Sequence, residues 1–230
     1  MAAMKSTPPA QVTPRKPRAD GIDARERLLQ SGLRLFAEKG FANTSTREIA
    51  QSASVNIASI SYYFGDKAGL YRAVFTEIKG FPSLAKAEYD QMHLSLRESL
   101  HSLFSLILAP LQQGDTMQLY TRLHFREMLE PTGVWAEKID QGIKPAHAGL
   151  IRLLCRHLGL AKADDDLHRL AFSVTGLALQ IVIRRDVIDA IRPRLLATPR
   201  ALDAWGMRLV DFAEAMVLQE ASRRRDQAAC

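Results

Sequence analysis

The sequence predicts an all-α protein in two unequal parts, a small helical unit over residues 22–80 and a larger helical bundle over 81–222. Three observations carry that expectation. Apolar residues recur almost throughout at the 3.6-residue spacing of helices and hardly anywhere at the two-residue spacing of strands. Breaking residues interrupt the pattern at short intervals before residue 80 and at long intervals after it. The formal net charge of +6 is also lopsided: the first 80 residues hold 12 Lys and Arg against 7 Asp and Glu, the remaining 150 hold 19 against 18. A polyanionic partner would be met by the first part.

Residues 1–21 contain four prolines and four basic side chains before the first acid, Asp20, and read as a disordered basic arm without the apolar core of a signal peptide. The first helix carries Leu29, Leu33 and Phe36 on one face and stops at Gly40. In "NTSTREIAQSA", Ser45 and Glu48 have capping-box spacing, so a second helix starts there. A turn over Ala53 to Asn56 leads into a short third helix within "SASVNIASISYYFGDKAGL". Its Ile57, Ile60 and Phe64 form one inner stripe, which leaves Asn56, Ser59, Ser61, Tyr62 and Tyr63 outward. Gly65 and Asp66 end it, and Asp66 caps a fourth.

Beyond residue 80 the pattern predicts helices over 83–112, 116–129, 133–158, 164–190 and 199–222, with a frayed tail at 223–230. Pro145 is expected to kink or divide the third of these. Thr198 followed by Pro199 is a start signal for the last.

Composition narrows the chemistry. Two cysteines, Cys155 and Cys230, make no disulfide framework and fit a reducing bacterial cytoplasm. The longest apolar stretch, Leu170 to Ile183, is 14 residues, shorter than a bilayer span, so no membrane partner is expected. Glycine-rich phosphate loops, nucleophile elbows and zinc-ligand pairs are missing, so neither an enzyme nor a cofactor is expected. Asp164 to Asp166 open a helix, where acids complement the dipole. His124 and Glu127 are two ligands without a third, and no metal is expected.

Three short helices with a tight turn between the second and third are the layout of a helix-turn-helix module, whose last helix enters the DNA major groove. Such a helix needs a buried stripe, short outward side chains and a few donors for phosphate or base edges. The isoleucines, the small Ala58, Ser59 and Ser61, and the two tyrosines supply them. The stretch from "RLLQSGLRLFAEKGFANTSTREIA" to "YYFGDKAGLYRAVF" resembles the DNA-binding domain of TetR/AcrR-type bacterial transcription regulators over roughly residues 22–75. That resemblance implies DNA contacts by Thr44, Ser45, Thr46, Arg47, Asn56, Ala58, Ser59, Ser61, Tyr62 and Tyr63, with Lys67 on the backbone. Two departures stand out: Ile57-Ala58 replaces a glycine or lysine-glycine pair common in the family, and Tyr63 replaces a histidine. Arg15, Lys16 and Arg18 are further candidates to track phosphates or a minor groove.

The second part resembles the YbiH/CecR-type C-terminal domain through "HFREMLEPTGVW" and "IKPAHAGLIRLLCRHLG". This implies a homodimer on a palindromic operator, a repressor that leaves double-stranded DNA when a small-molecule effector enters the bundle. Leu202, Trp205, Leu209, Phe212 and Met216 run as one seam along the last helix and are the expected dimer contacts. Phe104, Tyr120, His124, Glu127, Met128, Trp135, Phe172, Thr175 and Gln180 are the expected walls and anchors of an effector pocket. Two rival readings stay open: control by a protein partner instead of a small molecule, and a helical enzyme with a DNA-binding head.

Overall fold

The computed structural model describes residues 19–78, 89–112 and 114–228. Every regular element among them is helical. The basic arm lies outside the described residues except for residues 19–21, which already belong to the first helix.

Four helices form the head: α1 (Ala19–Lys39), α2 (Thr46–Ser52), α3 (Ala58–Phe64) and α4 (Lys67–Glu77). Leu28, Leu33 and Phe36 of α1 meet Ile49, Ile60, Leu70 and Val74, all at 0–1 % exposure. Burying each such side chain contributes about 1.5–3 kcal/mol. The bundle comprises α5 (Leu96–Leu108), α6 (Gly114–Leu129), α7 (Val134–Lys138), α8 (Lys144–Leu158), α9 (Asp165–Ile183), α10 (Arg185–Ile191) and α11 (Pro199–Ala228). Its core gathers Leu100, Phe104, Leu154, Leu167, Val174, Ile181 and Val210. One helix serves both parts: Met117, Tyr120 and Leu123 of α6 pack into the core of the head.

Several boundaries differ from expectation, each for a local reason. The helix expected over 83–112 begins at Leu96, because Ser95 and Glu98 form a capping box there, and a 3-10 turn follows it over Ala109–Gln112; residues 83–88 lie outside the described residues. The helix expected over 133–158 is divided just before Pro145, by a π-helical segment at Ile139–Ile143. Widening that turn seats a residue that has no N–H to donate. The helix expected over 164–190 breaks at Arg184 (φ −108°, ψ 26°) into α9 and α10.

The tail does not fray at 223. Arg223 reaches the carboxylates of Asp166 (2.8 Å) and Glu220 (2.7 Å), and Arg224 those of Asp164 (2.7 Å) and Glu220 (2.6 Å), so α11 stays helical to Ala228. Length and composition alone would let α9 cross a membrane. Here Leu167, Ala171, Val174, Ala178 and Ile181 bury one of its faces in the protein core.

Candidate nucleic-acid interface

The head presents α2 and α3 on the support of α1. Arg27 Nε donates to the carbonyl of Ala53 at 3.0 Å and so pins the turn between the two short helices. Ser54 makes that turn with a positive φ of 53°.

The start of α2 is locked. Ser45 Oγ accepts the N–H of Glu48 at 3.2 Å, and the Glu48 carboxylate accepts the N–H of Ser45 at 2.9 Å. Lys39 donates to the same carboxylate at 2.8 Å. The Lys39 ammonium, with the two Ser45 donors, holds the Glu48 carboxyl down at about 2. Because that pKa is lower folded than unfolded, the stabilisation is present above the ordinary value near 4.5 and is lost as pH falls toward 2. Thermal melts between pH 6 and pH 2 are expected to show this acid-side loss reduced in a Lys39→Met variant; an unchanged profile would remove the Lys39 contribution.

The expected DNA contacts separate into displayed and withdrawn side chains. Ser45 and Arg47 are exposed, and Arg47 forms no ion pair with any described residue. Thr46 is half-buried. Thr44 is withdrawn: at 1 % exposure its hydroxyl donates to the carbonyls of Gly40 (2.8 Å) and Leu35 (3.2 Å). Its hydroxyl ties the loop to α1.

Just ahead of α3, Asn56 Oδ1 accepts the N–H of Ala58, the first helical residue, at 2.9 Å. Ala58, Ser61 and Tyr62 are exposed, Tyr62 at 82 %, and Ser59 is half-buried. The inner stripe is not the expected one. Ile60 is 1 % exposed, but Ile57 precedes the helix and is 49 % exposed. Its place is taken by Tyr63, which is half-buried against the core of the head together with Val55 and Phe64. Tyr63 also meets Tyr62 edge-on at 4.8 Å between ring centroids. It is therefore as much a support of the display as a part of it. Lys67 lies with its ammonium 4.5 Å from the Phe41 ring centroid and 3.5 Å from the carbonyl of Ala42, beside the loop between α1 and α2.

A close approach joins α3 to α4. A β-carbon on Gly69 would stand 1.9 Å from the carbonyl oxygen of Phe64, so only glycine lets the two helices meet at this angle. The backbone N–H of Gly69 also donates to Asp66 Oδ1 at 2.7 Å, which caps α4.

The nine residues expected around an effector do not share a cavity. Phe104 is core at 1 % exposure; Met128 and Phe172 are exposed at 46 % and 64 %, Gln180 is exposed, and Thr175 Oγ1 donates to the Ala171 carbonyl at 3.1 Å. Tyr120, His124, Glu127 and Trp135 meet instead at the junction of α4, α6 and α7. Tyr120 Oη donates to the Phe75 carbonyl at 2.9 Å, and His124 packs 4.9 Å from the Phe75 ring centroid. Burial, with the charge of Lys138 adding, pushes the His124 pKa down to about 4. Glu127, at 0 % exposure, accepts the Tyr71 hydroxyl (2.7 Å), the N–H (2.8 Å) and hydroxyl (3.1 Å) of Thr132, and the N–H of Trp135 (3.1 Å). It is a strut between head and bundle, which the sequence does not reveal because the partners are 56, 5 and 8 residues away.

The expected dimer seam is also redistributed. Leu202 and Leu209 are 5 % and 1 % exposed inside the chain's own core, and Trp205 and Met216 pack partly buried against that core. Phe212 is 46 % exposed. The seam is mostly the inward face of α11, since a helix needs an apolar stripe for its own chain first. Apolar side chains left in water sit on both helices: Phe172, Leu179 and Ile183 on α9, and Met207, Phe212 and Leu218 on α11. Among the described residues no three His, Cys, Asp or Glu gather as a metal site.

Known proteins share both halves of this arrangement. Residues 28–74 match the family model described as bacterial regulatory proteins of the tetR family, and residues 96–217 match that of the C-terminal domain of the HTH-type transcriptional dual regulator CecR. The CecR of Shigella flexneri is 31 % identical over 179 residues, which cover 73 % of this chain and 79 % of that protein. A probable acrEF/envCD operon repressor of Escherichia coli K12 is 22 % identical, covering 73 % and 78 %. Among solved structures, a TerR/AcrR-family transcriptional regulator of Aquifex aeolicus superposes with a TM-score of 0.55 at 17 % identity, over 84 % of this chain and 99 % of that one. SmeT, solved with triclosan, gives 0.59 at 19 % identity over 84 % and 90 %. A helix-turn-helix head joined to a CecR-type bundle along most of its length makes this chain a transcriptional regulator of the TetR family.

Proposed function

We propose that the protein is a homodimeric repressor of the bacterial cytoplasm that reads a palindromic operator through α3 and leaves it when a small molecule binds. The single observation that carries the reading is Tyr62, 82 % exposed on a helix anchored by the 1 % exposed Ile60. A large aromatic ring in water, edge-on to Tyr63 and beside small hydroxyl side chains, suits contact with phosphates, base edges and thymine methyl groups. Ser45, Arg47, Asn56, Ala58, Ser59 and Ser61 extend that surface.

Two heads are needed to engage successive half-sites, about 34 Å apart. The partner surface in this reading is the α9 stripe of Phe172, Leu179 and Ile183, together with the exposed Phe212 of α11. An apolar stripe of this kind on a protein that already has a full core favours burial against a second copy. Release requires a ligand that prefers the conformation unable to hold DNA. That SmeT was solved with triclosan supports a small molecule as the trigger in this fold. The Escherichia coli relative, a probable operon repressor, supports the direction of control, and CecR is a dual regulator.

The test is a footprinting titration on the DNA upstream of the protein's own gene, across a salt series. A protected palindrome holding two protomers is expected, with Tyr62→Ala weakening it about tenfold. Arg47→Ala is expected to reduce the salt slope by about one. Sequence-blind binding that Tyr62→Ala leaves unchanged would remove α3 as the reading helix.

A further inference from the structure

Ile57 is the large aliphatic side chain that the head leaves in water. Among the described side chains of the head, every leucine, valine and other isoleucine is buried or half-buried, whereas Ile57 is 49 % exposed. Its backbone enforces that exposure. Ile57 already has helical dihedrals (φ −56°, ψ −32°), and its carbonyl accepts the N–H of Ile60 at 3.1 Å. One residue earlier, the Asn56 carbonyl accepts the N–H of Ser59 at 2.9 Å, and Asn56 Oδ1 holds the N–H of Ala58. Turning Ile57 inward would break this turn, whose register sets Ile60 into the core of the head. A β-branched side chain has few rotamers on such a backbone, so its methyl groups keep a nearly fixed direction.

That direction follows from the helix. Ile57 and Ser61 are four residues apart and share a face, with Ala58 and Tyr62 beside them, and all four are exposed. In a helix-turn-helix module the N-terminal residues of the reading helix are the ones that meet base edges. Ile57 therefore stands at the leading edge of the surface that α3 offers to DNA. We infer that Ile57 is a specificity residue that reads the C5-methyl group of a pyrimidine, thymine in unmodified DNA, at one base pair of each half-site. This rests on α3 as the reading helix and adds a base preference to it.

An aliphatic side chain has few partners in a major groove. Purine and cytosine edges present hydrogen-bond donors and acceptors there, and an isoleucine set against them would exclude their water and offer no bond in return. Phosphate oxygens are held by donors, of which isoleucine has none. The C5-methyl group of thymine is the apolar feature of the groove, and 5-methylcytosine carries the same group. Contact between that methyl group and Ile57 takes both out of water. Ala58 beside it adds a second small apolar surface, while Ser61 and Tyr62 carry hydroxyls for the polar edges of neighbouring bases.

The test starts from sites that the full-length protein selects out of a pool of random duplexes, read by titration. The selected half-site is expected to contain a fixed thymine. Uracil in place of each thymine in turn removes the methyl group and nothing else. At one position the wild-type protein is expected to lose about fourfold in affinity, the value of one methyl group taken from water. Ile57→Ala is expected to bind the thymine site about tenfold more weakly and to be indifferent to uracil at that position. The variant should melt within about 2 °C of the wild type, because the side chain it shortens is exposed. With cytosine at the same position, C5 methylation is expected to tighten wild-type binding about fourfold, which tells the methyl group from the base that carries it. Uracil tolerated at every position, or a uracil loss that Ile57→Ala retains, would overturn the role of Ile57 and leave α3 reading through Tyr62. A pool that yields no preferred site, or sites that Tyr62→Ala binds equally well, would remove α3 as the reading helix and Ile57 with it.

Discussion

Gly69→Ala is expected to lower the melting temperature by about 5–10 °C and to weaken operator binding about tenfold or more, against the usual gain from replacing glycine in a helix. In an exposed helix interior the exchange raises stability by up to about 1 kcal/mol. At this position the new methyl group would stand 1.9 Å from the Phe64 carbonyl oxygen, a backbone atom that cannot rotate away. Relief requires α3 and α4 to part by about 1 Å, an overpacking strain of about 1–3 kcal/mol. For a chain of this size each kcal/mol corresponds to about 2–4 °C. The parting also moves the C-terminal end of α3, where Tyr62 and Tyr63 are carried, so DNA affinity should fall more than stability accounts for. Calorimetry alongside footprinting checks both, and an unchanged or raised melting temperature would show that the junction yields freely.

Glu127→Ala is expected to cost about 3–5 kcal/mol, a fall of about 10 °C or more. The substitution removes a carboxylate at 0 % exposure and strands the Tyr71 hydroxyl and the N–H groups of Thr132 and Trp135 without an acceptor. Each stranded buried donor costs about 1–3 kcal/mol. Burial, the hydrogen bond to Glu127 and its charge together push the Tyr71 hydroxyl far above the ordinary phenol range, so that group stays a proton donor at every working pH. Glu127→Gln should recover only part of the loss, because its amide offers hydrogens where donors already converge. Tyr71→Phe alone should cost less, and the two substitutions together less than their sum, since the second removes a donor the first has stranded. Strict additivity in melts of the four proteins would dissolve the strut.

How much of this could be read without coordinates depended on how local each cause is. The Ser45 and Glu48 box and the Asp66 cap act within three residues, and the structure has both as spacing predicts. The head as a whole was legible through its motif. The support beneath the display was less so: Ile57 and Tyr63 exchange roles because α3 begins at Ala58, one residue later than a stripe from Ile57 assumes, and leaves Ile57 at the cap position. Thr44 was indistinguishable from its exposed neighbours, since only the fold shows its hydroxyl turned toward Leu35 and Gly40.

In the bundle, periodicity located apolar faces without saying what would cover them. Leu209 and Phe212 lie on the same predicted seam, yet one is core and the other is in solvent. Glu127 looked like a pocket anchor because an acid on an apolar helix invites a ligand, and its partners lie in other elements. The role of Gly69 depends on a distance that no pattern of residues records.

The clamp at the end of the chain gives the molecule a direction that charge alone does not. Asp164 serves twice, capping α9 through the N–H of Leu167 at 2.9 Å and holding Arg224 at 2.7 Å. Exchanging the two residues would keep one positive and one negative charge in place, but arginine has no oxygen to offer a helix start. The pair is thus not reversible: drift at position 224 removes the ion pairs of one arginine, whereas drift at position 164 undoes the start of α9 as well. Related chains should therefore vary at the arginine before they vary at the aspartate.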